Sequence, residues 1–215
     1  MIRIVTPENR HYYKKQLQDM FQMRARVAVE EMNWNIPVCD NGMDIDEFDY
    51  PDTVYILYFN DDGEVSGCAR LNPTNRPNLI SEVFPQLCEG KIPNCENIHE
   101  FSRYLIERRG KTQRQYSKTW LLIGQAVNEY CLSRGIKQVI TLSRKRMYQM
   151  STSVWKTRPL GFPKYFEDDE KTYQAGISNM NEDGLKNLQK YTKIKSSLLN
   201  FGPPPVKQEQ KLRAS

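Results

Sequence analysis

The chain has 215 residues, 39% of them apolar and 27% charged, with a net charge of +5; that length suits one domain with a sizeable core. The modest positive balance favours an anionic partner without choosing between nucleic acid, a phosphorylated cofactor and an acidic carrier protein. The five cysteines form no Cys-x-x-Cys pair, so neither a disulfide framework nor a zinc site is expected, and the only histidines, His11 and His99, exclude a histidine-rich metal centre.

Ile2 to Val5 reads as a first strand. Thr6 then serves as an N-cap and Pro7 as a first helical residue, opening a helix expected to reach Glu31. Its apolar stripe holds Leu17, Met20, Phe21, Val27 and Ala28, and Arg24 falls on the same stripe. A charge there needs a partner, because burying it alone is costly. Residues 32–52 show no period and contain Pro37, Gly42 and several acids, which predicts a long loop. Trp34, Ile36, Met43, Ile45 and Phe48 give that loop apolar groups to bury.

Strands are predicted at 53–60 and 64–71, joined by the hairpin turn Asp61-Asp62-Gly63. A short helical piece follows from Ser81 to Leu87, and a strand from Ile98 to Ile106. Tyr116 to Arg134 is helical, with Trp120, Ile123, Gly124, Val127 and Cys131 inward and Gly135 as its stop. A β-branched strand at 138–142 leads into a basic amphipathic helix from Arg144. Thr172–Ile177 is a late strand and Asp183–Leu199 a final helix. One domain over 1–200 is expected, with 201–215 a flexible tail by composition. The order predicts a mixed α/β domain with an antiparallel front half and a βαβ crossover. No stretch approaches a membrane span and the N-terminus has no secretory apolar core, so the expected setting is a reducing cytoplasm.

Three short segments can carry chemistry. Asp46-Glu47-Phe48-Asp49 is either a solvated acidic turn or a carboxylate pair that meets a cation. Arg70 lies at a strand end before Asn72-Pro73-Thr74, where a surface arginine is the plain account. In Glu100-Phe101-Ser102-Arg103-Tyr104, strand alternation puts Glu100, Ser102 and Tyr104 on one face and Phe101 and Arg103 on the other; a cross-strand ion pair is the plain account there. A nucleic-acid surface would combine basic residues and aromatics with few acids. This set is mixed in sign and fits a zwitterionic small molecule better.

The series Arg24…Trp34, Asp46-Glu47-Phe48-Asp49, Arg70-Leu71-x-Pro73-Thr74, Glu82-Val83-Phe84-Pro85 and Glu100-Phe101-Ser102-Arg103 resembles the LuxI-type acyl-homoserine-lactone synthases, in order and spacing, up to about residue 145. The resemblance implies a GNAT-like three-layer sandwich, a mixed twisted β-sheet with helices on both faces. It also implies an acyltransferase with S-adenosylmethionine as substrate, an acyl thioester on acyl carrier protein or coenzyme A as donor, and no cofactor or metal. No nucleic acid and no membrane span belong to this reading. In the implied reaction the amine of S-adenosylmethionine attacks the thioester. Its carboxylate then displaces methylthioadenosine from its own γ-carbon.

On that resemblance Glu100 is the candidate base, or else holds an arginine in place, and Asp46, Asp49, Arg70 and Arg103 complete the catalytic network. Arg24, Trp34, Phe101, Ser102 and Arg103 would bind S-adenosylmethionine. Leu122, Val139, Thr141, Ser143 and Met147 would line the acyl pocket, and Arg144, Lys145 and Arg146 would meet the carrier protein or coenzyme A. The alternatives are an N-acyltransferase of GNAT type that forms no lactone, and a non-catalytic binding module. The chain departs from the family at Ala28, where an aromatic residue is usual, which would reshape the pocket beside Trp34. It also lacks the RxxGxG phosphate loop; Arg108-Arg109-Gly110-Lys111-Thr112 is the nearest segment.

Overall fold

The front half of the chain builds antiparallel strands and the back half wraps helices over one side of them. The computed structural model describes residues 1–167 and 170–205, with the Arg146 side chain also left out. Strands β1 (Ile2–Val5), β2 (Val54–Phe59), β3 (Val65–Pro73), β4 (Ile98–Ile106), β5 (Gln138–Arg144), β6 (Arg158–Pro159), β7 (Lys164–Phe166) and β8 (Lys171–Asn179) form one mixed sheet. Its order is β1-β2-β3-β4-β5-β8-β6, with β7 also on β8. All pairs are antiparallel except β4 with β5.

Helices cover both faces. On one side lie α1 (Lys14–Arg26), the 32–52 loop and the short α2 (Leu79–Glu82); on the other lie α3 (Gln113–Ser133), α4 (Lys145–Trp155) and α5 (Glu182–Thr192). The α1 face packs Met20, Met23 and Val27 on Tyr55, Leu57, Cys68 and Leu105. The opposite face packs Ile123, Ala126 and Val127 of α3 on Ile4, Ile56, Ala69 and Leu71. α3 starts at a reciprocal cap between Thr112 and Gln115. Gly135, at φ +68°, turns the chain toward β5.

The β4–β5 junction creates the site. These strands pair only where Ile98, His99 and Glu100 face Gln138, Val139 and Ile140. Beyond that, β4 stays with β3 to Ile106 and β5 stays with β8 to Arg144. The sheet therefore forks at Glu100 and Ile140, and main-chain groups facing each other across the fork have no partner on the opposing strand.

Several boundaries differ from the sequence reading, and β6 and β7 are not among its elements. Thr6 and Pro7 do not start the first helix: the Asn9 side chain accepts from Thr6 N (2.8 Å) and donates to Ile4 O (2.9 Å), making a turn. A 3-10 turn at Arg10–Tyr13 then precedes α1. The same helix ends in a wider π-helical turn over Val27–Glu31. The final helix stops at Thr192, because Lys193 turns left-handed (φ +62°) and the chain continues irregularly, with Leu198 N bonded to Glu129 at 2.7 Å. The presumed tail is anchored at its start: Arg3 donates to Pro203 O (2.9 Å), Asn9 to Phe201 O (2.9 Å) and Tyr13 to Gly202 O. Its remainder, 206–215, lies outside the described residues. Among the described residues, no helix is long and apolar enough to cross a membrane.

Candidate active site

The residues of mixed charge converge on the α1 side of the fork. Arg24 of α1 is fully buried and grips two acids of the 32–52 loop. Its Nε donates to Asp44 Oδ2 (3.0 Å), and Nη1 and Nη2 donate to Asp49 Oδ1 and Oδ2 (2.8 and 3.0 Å). Burial alone would depress the Arg24 guanidinium; Asp49 and Asp44 outweigh it and hold its pKa above the usual arginine value. The same contest lowers both acids. Desolvation pushes their carboxyls up, but Arg24 with Arg70 at Asp49, and Arg24 with Arg103 at Asp44, pull them below the usual range. These acids stay ionised at neutral pH.

Arg70 of β3 is the second buried guanidinium. Its Nη1 donates to Asp46 and lies 3.1 Å from Asp49 Oδ1, while Nε donates to Ser102 Oγ at 3.1 Å. Arg103 completes the lattice through Asp44, with Nε to Oδ2 at 2.8 Å and Nη2 to Oδ1 at 3.1 Å. Arg103 Nη2 also stands 2.8 Å from Asp46 Oδ2, a close ionic contact without hydrogen-bond alignment. Tyr55 adds a donor to Asp49 at 2.8 Å.

The loop is fixed because it is buried and bonded. Phe48 is 2% exposed, Asn72 Nδ2 donates to its carbonyl at 2.7 Å, and Asp44 N bonds Phe21 O of α1 at 3.1 Å. The solvated-turn reading of Asp46–Asp49 and the surface reading of Arg70 are both replaced by this buried network.

Arg103 corrects the expected alternation. It takes φ +48°, and the β3–β4 register shifts between Cys68 and Arg70. That bulge swings Arg103 to the side of Ser102 and the acids. Tyr104 then faces the other way and packs on Phe101 at 4.8 Å between ring centroids. Phe101, expected beside S-adenosylmethionine, therefore sits on the α3 face with Leu122, Val139 and Met147.

Glu100 stands where the fork opens. It is 1% exposed; Oε1 accepts from Ile80 N at 2.9 Å, and Oε2 is buried without a partner. Burial raises its pKa above the ordinary carboxylate value, although the Ile80 amide and Arg70 oppose the shift. Within the lattice, Asp46 Oδ2 and Arg70 Nη2 are also buried without aligned partners, as are Trp34 Nε1 beside the α1 cluster and Ser143 Oγ on the Val139 face. Buried polar atoms are normally satisfied. A lattice that leaves both a guanidinium nitrogen and a carboxylate oxygen without an aligned partner suits a ligand that carries both charges.

The expected acyl-pocket residues Leu122, Val139 and Met147 share the α3/α4 cluster, and Thr141 and Ser143 alternate onto the same face as Val139. The basic run does not stay together. Arg144 reaches inward: its Nη2 donates to Met32 O and its Nε to Tyr173 Oη (3.4 Å). Lys145 is exposed, and the Arg146 side chain lies outside the described residues. Asp44 and Tyr55 were missed by the sequence reading. The Asp44-Ile45-Asp46 spacing was the only signal for the first, and nothing local marked the second. No group of three or more metal-ligating side chains occurs among the described residues.

Comparison with known proteins shows the family. The autoinducer synthase family model matches residues 8–185. The isovaleryl-homoserine lactone synthase of Bradyrhizobium diazoefficiens is 34% identical over 170 residues, spanning 78% of this chain and 75% of that protein. The CoA-dependent acyl-homoserine lactone synthase BjaI, solved with SAM and isopentyl-CoA, superposes with a TM-score of 0.83 at 29% identity, covering 96% of this chain and 95% of that one. MesI, another CoA-dependent acyl-homoserine lactone synthase, gives 0.81 at 27% identity over 94% of this chain and 100% of that one.

Proposed function

This chain belongs to the autoinducer synthase family, and from that premise we propose that it makes an N-acyl-homoserine lactone from S-adenosylmethionine and an acyl thioester, with Glu100 as the base. The observation that carries the proposal is the two-sided fork. A buried lattice of ions with open hydrogen-bonding atoms lies on one face, and an apolar, aromatic cluster lies on the other. The two meet beside Glu100. An amino-acid sulfonium belongs on the first side and an acyl chain on the second.

The α-amine of S-adenosylmethionine is mostly protonated at neutral pH and must lose a proton to attack. The Glu100 carboxylate, with a raised pKa and one oxygen without a partner, accepts it. The freed lone pair adds to the thioester carbon, and collapse of that adduct expels the thiol and leaves the amide. Main-chain N–H groups of β4 or β5 beyond their last paired residues supply the donors to the developing oxyanion in this reading. The open Nη2 of Arg70 holds the substrate carboxylate. Trp34 covers the sulfonium, which is drawn to its ring face. Arg24, Asp44 and Asp49 act as positioning residues, holding Arg70, Arg103 and Asp46 in place.

Lactonisation needs little acid–base help. The carboxylate oxygen attacks the γ-carbon, the carbon–sulfur bond breaks, and the electron pair leaves with methylthioadenosine. Orientation supplies most of the rate. The donor is a coenzyme A thioester on the strength of the CoA-dependent relatives BjaI and MesI. The setting proposed is the cytoplasm, which accords with all five cysteines being unpaired.

The test is a donor panel. Purified protein is incubated with S-adenosylmethionine and acyl groups carried on coenzyme A or on carrier protein, and products are followed by mass. Release of methylthioadenosine together with an acyl-homoserine lactone is expected, faster from coenzyme A. Amide without methylthioadenosine would replace the proposal with simple N-acylation.

A further inference from the structure

A second cavity lies at the end of the sheet away from the opening of the fork. It has a volume of about 620 Å3 and is bounded by the turn after β1, the starts of β2 and β4, the end of β3 and the C-terminal turn of α3. Val54, Leu71 and Ile136 give it an apolar floor continuous with the core beneath α3. Ligand pockets span about 300–1,000 Å3, mostly apolar with a few polar groups. His99 lines this cavity, whereas Glu100, the next residue of β4, turns to the opposite face of the sheet and the Ile80 amide.

The charge around the cavity is lopsided. Glu8, Asp52 and Glu96 line it against one cation, Arg134. Asp52 is already paired with Arg76 Nη1 at 2.7 Å. Arg134 lies over two rings, 5.7 Å from the Tyr130 centroid and 5.8 Å from that of Phe201. Glu8 and Glu96 are exposed, and among the described residues neither stands in an ion pair. The end of α3 opens onto the same space, and the negative end of a helix dipole favours a cation there.

His99 adds a feature that an acidic rim alone does not have. Its Nδ1 is buried without a partner. Burial, and then Arg76, lower its pKa to about 4. At neutral pH the ring is therefore uncharged; it does not repel a cation, and one of its nitrogens accepts a hydrogen bond. Buried polar atoms are normally satisfied, and the cavity that His99 lines is where a partner can sit.

We infer that this cavity is a second binding site, for a small organic cation: a primary amine that carries one short apolar or aromatic group. The ammonium meets the Glu8 and Glu96 carboxylates and His99, and the apolar group covers Val54, Leu71 and Ile136. None of these residues takes part in the acyl transfer described above, so the site is separate from that of the substrates.

The chain's two histidines serve as reporters. His99 lines the cavity and His11 is exposed on the turn before α1, so the ring signals of the histidine-labelled full chain in NMR separate binding here from binding elsewhere; His99→Gln assigns them. At neutral pH, well above the His99 pKa, a shift reports contact and not protonation. Benzylamine should move the His99 signal to saturation and leave that of His11 in place. Benzyl alcohol, the same shape without the charge, should bind about tenfold more weakly. The double variant Glu8→Gln, Glu96→Gln should weaken benzylamine about threefold to tenfold and leave methylthioadenosine release unchanged. Glu100→Gln should bind benzylamine as the wild type does. A His99 signal that benzylamine does not move, or an alcohol that binds as tightly as the amine, overturns the inference. So does binding that Glu100→Gln abolishes and the double variant keeps, which would put the amine in the fork. No methylthioadenosine from any donor would remove the lactone synthase and leave the result for the cavity standing.

Discussion

Arg24 and Arg103 share a single carboxylate oxygen: Asp44 Oδ2 accepts from Arg24 Nε at 3.0 Å and from Arg103 Nε at 2.8 Å. Asp44 thereby ties α1 to the open arm of the fork through a loop residue that is itself 1% exposed. Asp44→Asn leaves two guanidinium groups short of charge in a buried site, so a loss of about 3–5 kcal/mol in unfolding free energy is expected. Urea denaturation gives the value; a loss below about 1 kcal/mol would mean that the lattice does not hold Arg103.

Glu100→Gln keeps an acceptor for the Ile80 amide and should fold normally. It cannot take the amine proton, so acylation should slow by about 10²–10⁴-fold. The low-pH limb of the kcat profile should also vanish. A variant that slows but keeps that limb would assign Glu100 to holding Arg70 rather than to proton transfer.

Arg144, on the β5 arm of the fork, bonds Met32 O just after the π-helical turn. Arg144→Ala removes a charged hydrogen bond, a loss of about 1.5–3 kcal/mol. The expected signs are faster proteolysis within residues 32–44 and a raised KM for S-adenosylmethionine with kcat less affected. Unchanged proteolysis would show that the segment is held without Arg144.

Stability should decline as pH falls from neutral toward 4. His99 is pushed from 6.5 to about 4, first by burial and then by Arg76. The folded state keeps His99 neutral while the unfolded chain takes up a proton below 6.5, so the contribution is lost between those values and is on the order of 3 kcal/mol. Asp44 and Asp49 act in the same direction at lower pH: their stabilisation is present above the usual aspartate value and lost as pH drops through their depressed folded values. Glu100 acts oppositely, because its raised pKa adds stability as it protonates. His99→Leu should flatten the melting-temperature curve between pH 6.5 and 4 relative to wild type, measured by calorimetry. Parallel curves would remove His99 from this account.

The order of the longer strands and helices, the hairpin at Asp61-Asp62-Gly63 and the charged residues that meet in the lattice were legible in the sequence, whereas the short β6 and β7 were not. These follow from local signals: apolar spacing reports which face of an element is buried, and a charge such as Arg24 on an apolar stripe requires an opposite partner. Which partner it finds depends on how distant segments pack. The sharing of Asp44, the inward turn of Arg144 to Met32 and the covering of Gly124 by Trp155 all join segments distant in the chain. The bulge at Arg103 reversed the alternation for the same reason, since a register shift belongs to a pair of strands and leaves no period in either one. The final helix stopped early because the chain beyond Thr192 gains its bonds from Glu129 of α3 and from β1, which helical spacing within the segment does not reveal.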